Sequence, residues 1–217
     1  MSWQSEIMPL LGFSFGVSAI ATAIAAAIAI PLGIFMGMRE FKGKTIIINL
    51  TNSFMGFPPV VMGVLVYLLL SKAGPLGFLH LIYTPTAIII AQCLLCIPII
   101  TGITLSSITN HSKKIIETTL ALGGSRSDVY ENVFSENLVP VLSGVIVGFG
   151  QNLSEVGASM IVGGNISFFT QTMTTAIVTY TGQGRAGDAL LTGLILIITT
   201  FIIMFALTIL QMRARRL

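Results

Sequence analysis

Apolar residues follow one another along this chain in long windows that contain, with one exception, no charged side chain. Short polar stretches separate five such windows. They are Leu10 to Met36, Ile46 to Leu70, Pro85 to Ile108, Leu138 to Val162 and Ala189 to Met212. A helix of about 20 apolar residues spans the hydrocarbon core of a bilayer. The pattern predicts an all-α, polytopic membrane protein with about five transmembrane helices.

The composition agrees with a membrane protein. Of the 217 residues, 54% are hydrophobic and 9% are charged, whereas an ordinary soluble domain carries about 25% charged residues. The net charge of +3 does not call for an acidic ligand, because basic residues flank membrane spans for orientation alone. We therefore expect a single transmembrane domain over residues 1–217, in contact with the lipid bilayer and with no nucleic-acid partner.

The basic residues predict the orientation. With the N-terminus outside, nine of the 11 Lys and Arg residues fall in the cytoplasm, the side on which short loops carry an excess of them. These nine are Arg39, Lys42, Lys44, Lys113, Lys114, Arg126, Arg213, Arg215 and Arg216. The chain is therefore predicted to be N-out and C-in, with the polar segment at about residues 111–137 in the cytoplasm.

That cytoplasmic segment has the pattern of two short helices. One helix is predicted over residues 113–122, and Gly123 with Gly124 supplies the left-handed ending that a helix C-terminus favours. Ser125 followed by Asp128 resembles a capping box and predicts the start of a second helix. Such a pair either enters a groove on a soluble partner or forms a plain re-entry loop, and the pattern leaves both open.

Two of the predicted spans carry residues that a lipid-facing helix avoids. Pro58 and Pro59 interrupt the second span, which indicates either a broken backbone beside a pathway or a packed kink. Glu155 is the exception noted above, a carboxylate well inside the fourth span. It is either a functional group or one that fixes helix packing through hydrogen bonds.

Glycines recur at a spacing of four residues in two of the spans. Gly33 and Gly37 form one pair, and Gly144 and Gly148 form the other. This spacing allows two helix backbones to approach closely. We expect it to serve packing within the bundle, with a dimer seam as the alternative.

The sequence contains no group of residues at the spacing of a catalytic or metal-binding site. The tripeptide beginning at Gly43 ends like a phosphate-binding loop, but Met38 stands where that pattern needs its first glycine. His80 and His111 have no acidic or Cys neighbours at ligand spacing. We therefore expect no catalytic residue, no metal and no cofactor bound by this chain.

A family resemblance is carried by the cytoplasmic segment. ETTLALG, Glu117 to Gly123, with Val133 ten residues later, resembles the EAA loop of ATP-binding-cassette (ABC) importer permeases. Two threonines replace the two alanines of that loop, and Ser135 and Glu136 replace its final Leu and Pro.

Three further stretches look like permease subunits of the tungstate-type importers, which are related to molybdate and sulfate permeases. They are Gly56 to Gly77, Thr84 to Gln92 and Ser154 to Ile166. The resemblance implies a type I importer permease in the prokaryotic inner membrane. It implies a homodimer with a second copy, two cytoplasmic ATPase subunits that hold ATP and Mg²⁺, and an extracytoplasmic oxyanion-binding protein. The substrate would be tungstate, ahead of molybdate or sulfate.

The resemblance also implies roles for particular residues. Coupling to the ATPase subunits would fall to residues around the double glycine, namely Glu117, Thr118, Thr119, Leu122, Gly123, Gly124 and Arg126. Hydroxyls and amides offer a dianion weaker, serial contacts than a buried Lys or Arg would. The predicted substrate pathway is therefore Asn52, Ser53, Pro58, Pro59, Asn152, Ser154, Glu155 and Ser159, with Glu155 hydrogen-bonded away from the pore.

The outer segment, residues 163–184, is predicted to form a short helix on the bundle. It is moderately apolar, with Phe168, Phe169 and Tyr180 among its larger side chains. Together with Lys72 and Arg185 it would form the surface on which the binding protein docks.

A different class of transporter remains as the alternative. A secondary transporter or channel driven by an ion gradient would show ionisable residues in several spans and internal repeats. The spans contain one carboxylate and no convincing repeat. A membrane-embedded enzyme lacks the clustered acid, base or metal ligands it would need.

Overall fold

The computed structural model describes residues 3–214, with the side chains of residues 6–109 and 114–213. Arg215, Arg216 and the side chains of His111 and Lys113 lie outside the described residues. Within residues 3–214 the regular structure is helical throughout, apart from turns, which confirms the all-α prediction. The α-helices are α1 (Trp3–Met38), α2 (Lys44–Met55), α3 (Pro59–Leu70), α4 (Pro85–Ala121), α5 (Arg126–Glu136), α6 (Leu138–Ser154), α7 (Gly157–Gly163), α8 (Met173–Gly182) and α9 (Ala186–Ala214).

The number of spans agrees with the apolar windows. Three helices, α1, α4 and α9, are long and apolar enough to cross a membrane. Two bent pairs, α2 with α3 and α5 with α6, bring the number to five if each pair is one span. The α2 and α3 axes meet at 99°, because Pro59 begins α3, where its missing N–H does least harm.

The helices α1 and α4 form the centre of the bundle and pack closely along their length. A Cβ atom on Gly33 would lie 2.7 Å from Thr104 Cβ, and one on Gly37 would lie 2.7 Å from Ile108 Cγ2. Only glycine allows this approach. The first glycine pair therefore serves packing within the bundle, as predicted. The second pair does the same, since Gly144 faces Ile103 of α4.

The helix predicted over residues 113–122 is not a separate element. It is the last part of α4, which runs for 37 residues from Pro85 to Ala121. At the α-helical rise this is about 55 Å, longer than the roughly 30 Å hydrocarbon core. No Gly or Pro interrupts residues 103–121, so the helix continues past the apolar window.

The fourth predicted span, by contrast, is interrupted. The helix α6 ends at Ser154, Glu155 adopts extended backbone angles, and α7 begins at Gly157. The Glu155 carboxylate accepts hydrogen bonds from the first backbone N–H groups of α7. It stabilises a new helix start where the apolar pattern predicted a continuous span to Val162.

The outer segment contains the predicted short helix as α8, but not all of its predicted residues. Met173, Ala176 and Tyr180 of α8 are buried in an apolar cluster with residues of α1 and α9. Phe168 and Phe169 precede the helix and are exposed. The helix begins only at Met173 because the Thr172 hydroxyl caps it, accepting from the Thr175 N–H.

The helices α3 and α7, which follow the breaks in the second and fourth predicted spans, pack against each other through a glycine. This contact can be tested by its effect on stability. A Cβ atom on Gly63 of α3 would lie 2.6 Å from the backbone Cα of Ala158 in α7. We expect Gly63→Ala to cost about 1–3 kcal/mol, as overpacking does, and to lower the thermal unfolding midpoint in detergent.

Gly16→Ala in α1 is the matched control for this substitution. No atom lies within 4 Å of a Cβ built there, so helix propensity alone should stabilise it by up to about 1 kcal/mol. Equal unfolding midpoints for the two variants would contradict the close contact between α3 and α7.

Candidate functional site

The C-terminal end of α4, at Ala121, closes in a Schellman motif. The Gly124 N–H donates to the Thr119 carbonyl oxygen at 2.9 Å, and the Gly123 N–H donates to the Leu120 carbonyl oxygen at 3.0 Å. Gly123 has φ +82°, the left-handed conformation this motif requires. The glycine ending predicted from the sequence is confirmed.

The helix α5 starts immediately after this turn with a capping box. The Ser125 hydroxyl accepts from the Asp128 N–H at 3.3 Å, and the Ser125 N–H donates to the Asp128 carboxylate at 2.6 Å. The hydrogen bond with the Ser125 backbone has the larger effect on Asp128, and the one with the Ser125 side chain the smaller. Together they hold the pKa of the Asp128 carboxyl below its ordinary value. The predicted start of the second helix is confirmed, and α4 and α5 form a tight hairpin.

The hairpin has its own apolar core and one cross-helix hydrogen bond. Val129 and Val133 of α5 are buried against Ile108 of α4. The Asn132 amide donates to the Thr119 hydroxyl at 3.1 Å. Thr119 occupies the place of the second alanine in the EAA pattern. That departure therefore supplies an acceptor that joins the two helices.

The residues predicted to couple the hairpin to a partner divide by exposure. Thr119 is buried and Gly124 is half-buried, so these two hold the hairpin together. The other five are exposed, and they are Glu117, Thr118, Leu122, Gly123 and Arg126. Leu122 is 84% exposed, beside an open cavity of about 480 Å³. The hairpin thus presents a large apolar side chain at its tip to the solution.

The Thr119–Asn132 hydrogen bond can be tested by a double-mutant cycle. Thr119→Ala and Asn132→Ala should each lower the free energy of unfolding by about 1 kcal/mol, because each removes one partner of the bond. The double variant should lose less than the sum, by about 0.5–1 kcal/mol. Thr118→Ala, at the exposed neighbouring position, is the control, and fully additive losses would show that the contact contributes nothing.

The residues predicted to line a pathway do not all lie on one surface. Asn52 and Ser53 on α2, Pro58 at the α2–α3 break and Ser154 at the end of α6 are exposed. Pro59 is half-buried. The remaining three are buried within the bundle, and they are Asn152, Glu155 and Ser159.

Glu155 lies at the α6–α7 break and is 4% exposed. Its Oε1 accepts from the Ala158 N–H at 2.7 Å. Its Oε2 accepts from the Ser159 N–H at 2.8 Å and from the Ser159 hydroxyl at 2.7 Å. Its own carbonyl oxygen accepts from the Thr174 hydroxyl at 2.8 Å. Three donors and the positive end of α7 compensate the buried carboxylate.

A buried polar cluster beside Glu155 includes two residues that the sequence reasoning missed. The Asn152 amide donates to the Thr22 hydroxyl at 3.0 Å, and the Gln92 amide donates to the Asn152 carbonyl oxygen at 3.1 Å. These contacts join α1, α4 and α6. Gln92 was detectable, because it is an amide within an otherwise apolar run; the hydroxyl of Thr22 gave no comparable signal.

The segment predicted to face outward makes two contacts that involve charged side chains. The Tyr180 hydroxyl donates to the Glu6 carboxylate at 2.8 Å. Arg185 pairs with Asp188 at 2.7 Å and lies over the Tyr180 ring. Lys72, also predicted to face outward, is exposed in the loop after α3.

A fold of this kind is known from a transporter. A chain of the MetNI methionine ABC transporter, solved in inward-facing conformations, matches with a TM-score of 0.79 over 99% of both chains, at 14% sequence identity. The described residues therefore have the fold of a type I ABC importer permease, a class of multi-pass helical membrane protein.

The family follows from the sequence match. Residues 29–216 match the model of the binding-protein-dependent transport system inner membrane component, and this chain belongs to that family. It is a multi-pass inner-membrane protein. The predicted resemblance to ABC importer permeases is confirmed.

Two curated relatives extend over most of the chain. The tungstate uptake system permease protein TupB of Peptoclostridium acidaminophilum is 39% identical over 203 residues, covering 94% of this chain and 89% of the relative. A probable anion ABC transporter permease protein of Haloferax volcanii is 34% identical over 196 residues, covering 88% and 84%.

Proposed function

We propose that this chain is the transmembrane permease subunit of an ATP-driven importer of a tetrahedral oxyanion, and that this oxyanion is tungstate rather than molybdate or sulfate. The observation that carries the substrate is the 39% identity to a tungstate uptake permease over 94% of the chain. The relative from Haloferax volcanii, a probable anion ABC transporter permease protein, supports a negatively charged substrate.

The α4–α5 hairpin is the element proposed to couple transport to ATP hydrolysis. Its Schellman turn and capping box fix the angle between the helices, and the tip presents Leu122 to a partner. Because α4 is one helix from the outer side to the hairpin, a push at the tip moves the centre of the bundle as a rigid body. ATP and Mg²⁺ would be held by two separate ATPase subunits, with no cofactor on this chain.

The proposed pathway lies between two copies of the chain. Asn52 and Ser53 on α2 and Ser154 on α6 are polar and exposed within predicted spans, and such residues face protein or water rather than lipid. A second copy covering these faces would enclose neutral hydrogen-bonding groups, which suit the release of a dianion. Glu155 directs its carboxylate to the start of α7, so it is proposed as a structural group rather than a pore lining.

The outer surface is proposed as the docking site of an extracytoplasmic oxyanion-binding protein. It includes the exposed loop residues Phe168 and Phe169 and the cation of Lys72. Arg185 is less available to a partner, since Asp188 already pairs with it.

Reconstitution tests the proposal. The chain is inserted into proteoliposomes with its ATPase subunit, and binding protein loaded with tungstate, molybdate or sulfate is added. We expect uptake that requires ATP and is highest for tungstate. Uptake that persists without the ATPase subunit and stops when an ionophore dissipates the ion gradients would overturn the proposal in favour of a secondary transporter.

A further inference from the structure

A second cavity lies on the cytoplasmic side, between the end of α1 and the α4–α5 hairpin. It has a volume of about 430 Å³. Its wall is apolar on the α1 and α4 sides, and its charged lining residues among those described are two arginines. The lining consists of Met38, Arg39, Ile116, Leu120, Arg126 and Tyr130, together with Val129.

Neither arginine is neutralised by a carboxylate among the described side chains. Arg39 lies over the Phe35 ring, with its guanidinium carbon 4.5 Å from the ring centroid. The adjacent carboxylate of Glu40 is engaged by Lys44 at 2.9 Å. Arg126 makes no ion pair within the described part of the chain. The cavity therefore has two guanidinium groups without a carboxylate partner among the described side chains, and a bound anion would neutralise them.

The cavity lies at the level of the inner membrane surface. The apolar span of α1 ends at Met38, so Arg39 stands where the hydrocarbon gives way to lipid headgroups. Ile34 and Met38 of α1 pack against the same buried cluster as Ile116 of α4, which brings the hairpin beside the end of α1. Leu120 and Tyr130 leave apolar surface exposed around the opening.

From these observations we infer a binding site for an anionic phospholipid of the inner leaflet. Its headgroup phosphate lies between Arg39 and Arg126, since guanidinium groups bind phosphate oxygens with paired N–H donors. Its acyl chains run back into the bilayer along α1, past Met38 and the exposed Phe35. Basic pockets between helices on the cytoplasmic side are suited to such headgroups. The site is independent of which oxyanion the chain transports.

Lipid retention on the purified full chain tests the site. The chain in detergent is titrated with phosphatidylglycerol or with phosphatidylcholine of the same acyl chains, and bound lipid is counted by native mass spectrometry. We expect wild type to prefer phosphatidylglycerol. The variant R39Q/R126Q should weaken phosphatidylglycerol binding about 25-fold, at about fivefold for each arginine.

Two further variants separate the site from general charge and from misfolding. K42Q/R213Q removes the same charge from two exposed positions on the same membrane side, outside the cavity, and should retain the preference within about twofold. R39K/R126K keeps the charge but loses the paired N–H donors, so its preference should fall between those of wild type and R39Q/R126Q. Equal losses in R39Q/R126Q and K42Q/R213Q, or no loss in either, would overturn the site.

Two competing occupants are distinguished in the same assay. Inorganic phosphate in millimolar excess should leave phosphatidylglycerol bound; complete displacement would assign the arginines to a free anion and overturn the lipid site. Co-purification of the ATPase subunit is measured in parallel. If R39Q/R126Q loses that subunit but keeps its lipid preference, the cavity belongs to a protein interface and the inference fails.

Discussion

Gly123→Val is expected to abolish ATP-driven uptake, with a loss of more than about tenfold, while the chain still inserts into the membrane. Gly123 holds φ +82°, a conformation that a β-branched residue adopts only at a cost of about 1–3 kcal/mol. No atom lies within 4 Å of a Cβ built there, so the cost arises from the backbone and not from crowding. Relief of the strain would open the Schellman turn and change the angle between α4 and α5.

The measurement compares uptake and substrate-stimulated ATPase activity in proteoliposomes. Gly43→Val is the matched control, because Gly43 has φ +94° and equally open surroundings but lies at the start of α2, outside the hairpin. It should carry a similar loss of stability and keep transport coupled to ATP. Gly123→Asn should retain most activity, since Asn tolerates the left-handed region. Full transport and full stimulation in Gly123→Val would remove the hairpin from the coupling proposal.

The hairpin was predictable because its signals are local. A glycine pair ends one helix, and Ser125 with Asp128 starts the next within a few residues. Each signal is satisfied by hydrogen bonds inside the same short segment. Sequence spacing alone is enough to find such a feature.

Helix boundaries in and near the membrane were less predictable, because hydropathy reports where a chain leaves the bilayer and not where a helix ends. The apolar window ends at Ile108, but α4 continues to Ala121 since nothing in between disfavours a helix. The reverse holds at Glu155. The apolar pattern continues through it, but its carboxylate caps α7 and ends the longer helix.

Burial could not be predicted for the polar residues inside the spans. A membrane helix is apolar on every side, so periodicity does not tell which face meets protein. Asn152 and Ser159 were grouped with Asn52 and Ser53 as pathway candidates on residue type alone. The structure buries the first two in contacts with Thr22 and Glu155. Only three-dimensional packing separates them from the exposed pair.

Glu155→Gln is expected to reduce stability without opening a path for anions. The glutamine side chain keeps one acceptor oxygen and gains an amide group that donates. The Ser159 hydroxyl can rotate and accept from that amide, but the backbone N–H groups of Ala158 and Ser159 can only donate. One of these N–H groups therefore loses its partner in a buried site, at a cost of about 1–3 kcal/mol. Losing the negative charge at the start of α7 adds to that cost.

The test measures the thermal unfolding midpoint in detergent and passive tungstate leak from proteoliposomes without ATP. Thr208→Ala in α9 is the control, because the exposed Thr208 hydroxyl donates to the Met204 carbonyl oxygen within its own helix and lies outside the proposed pathway. Glu155→Gln should unfold at a clearly lower temperature than Thr208→Ala, and both should leak no more than wild type. Intact stability with increased leak would contradict the structural role. It would mean that the carboxylate repels anions from the closed pathway, and that the α6–α7 break is the gate.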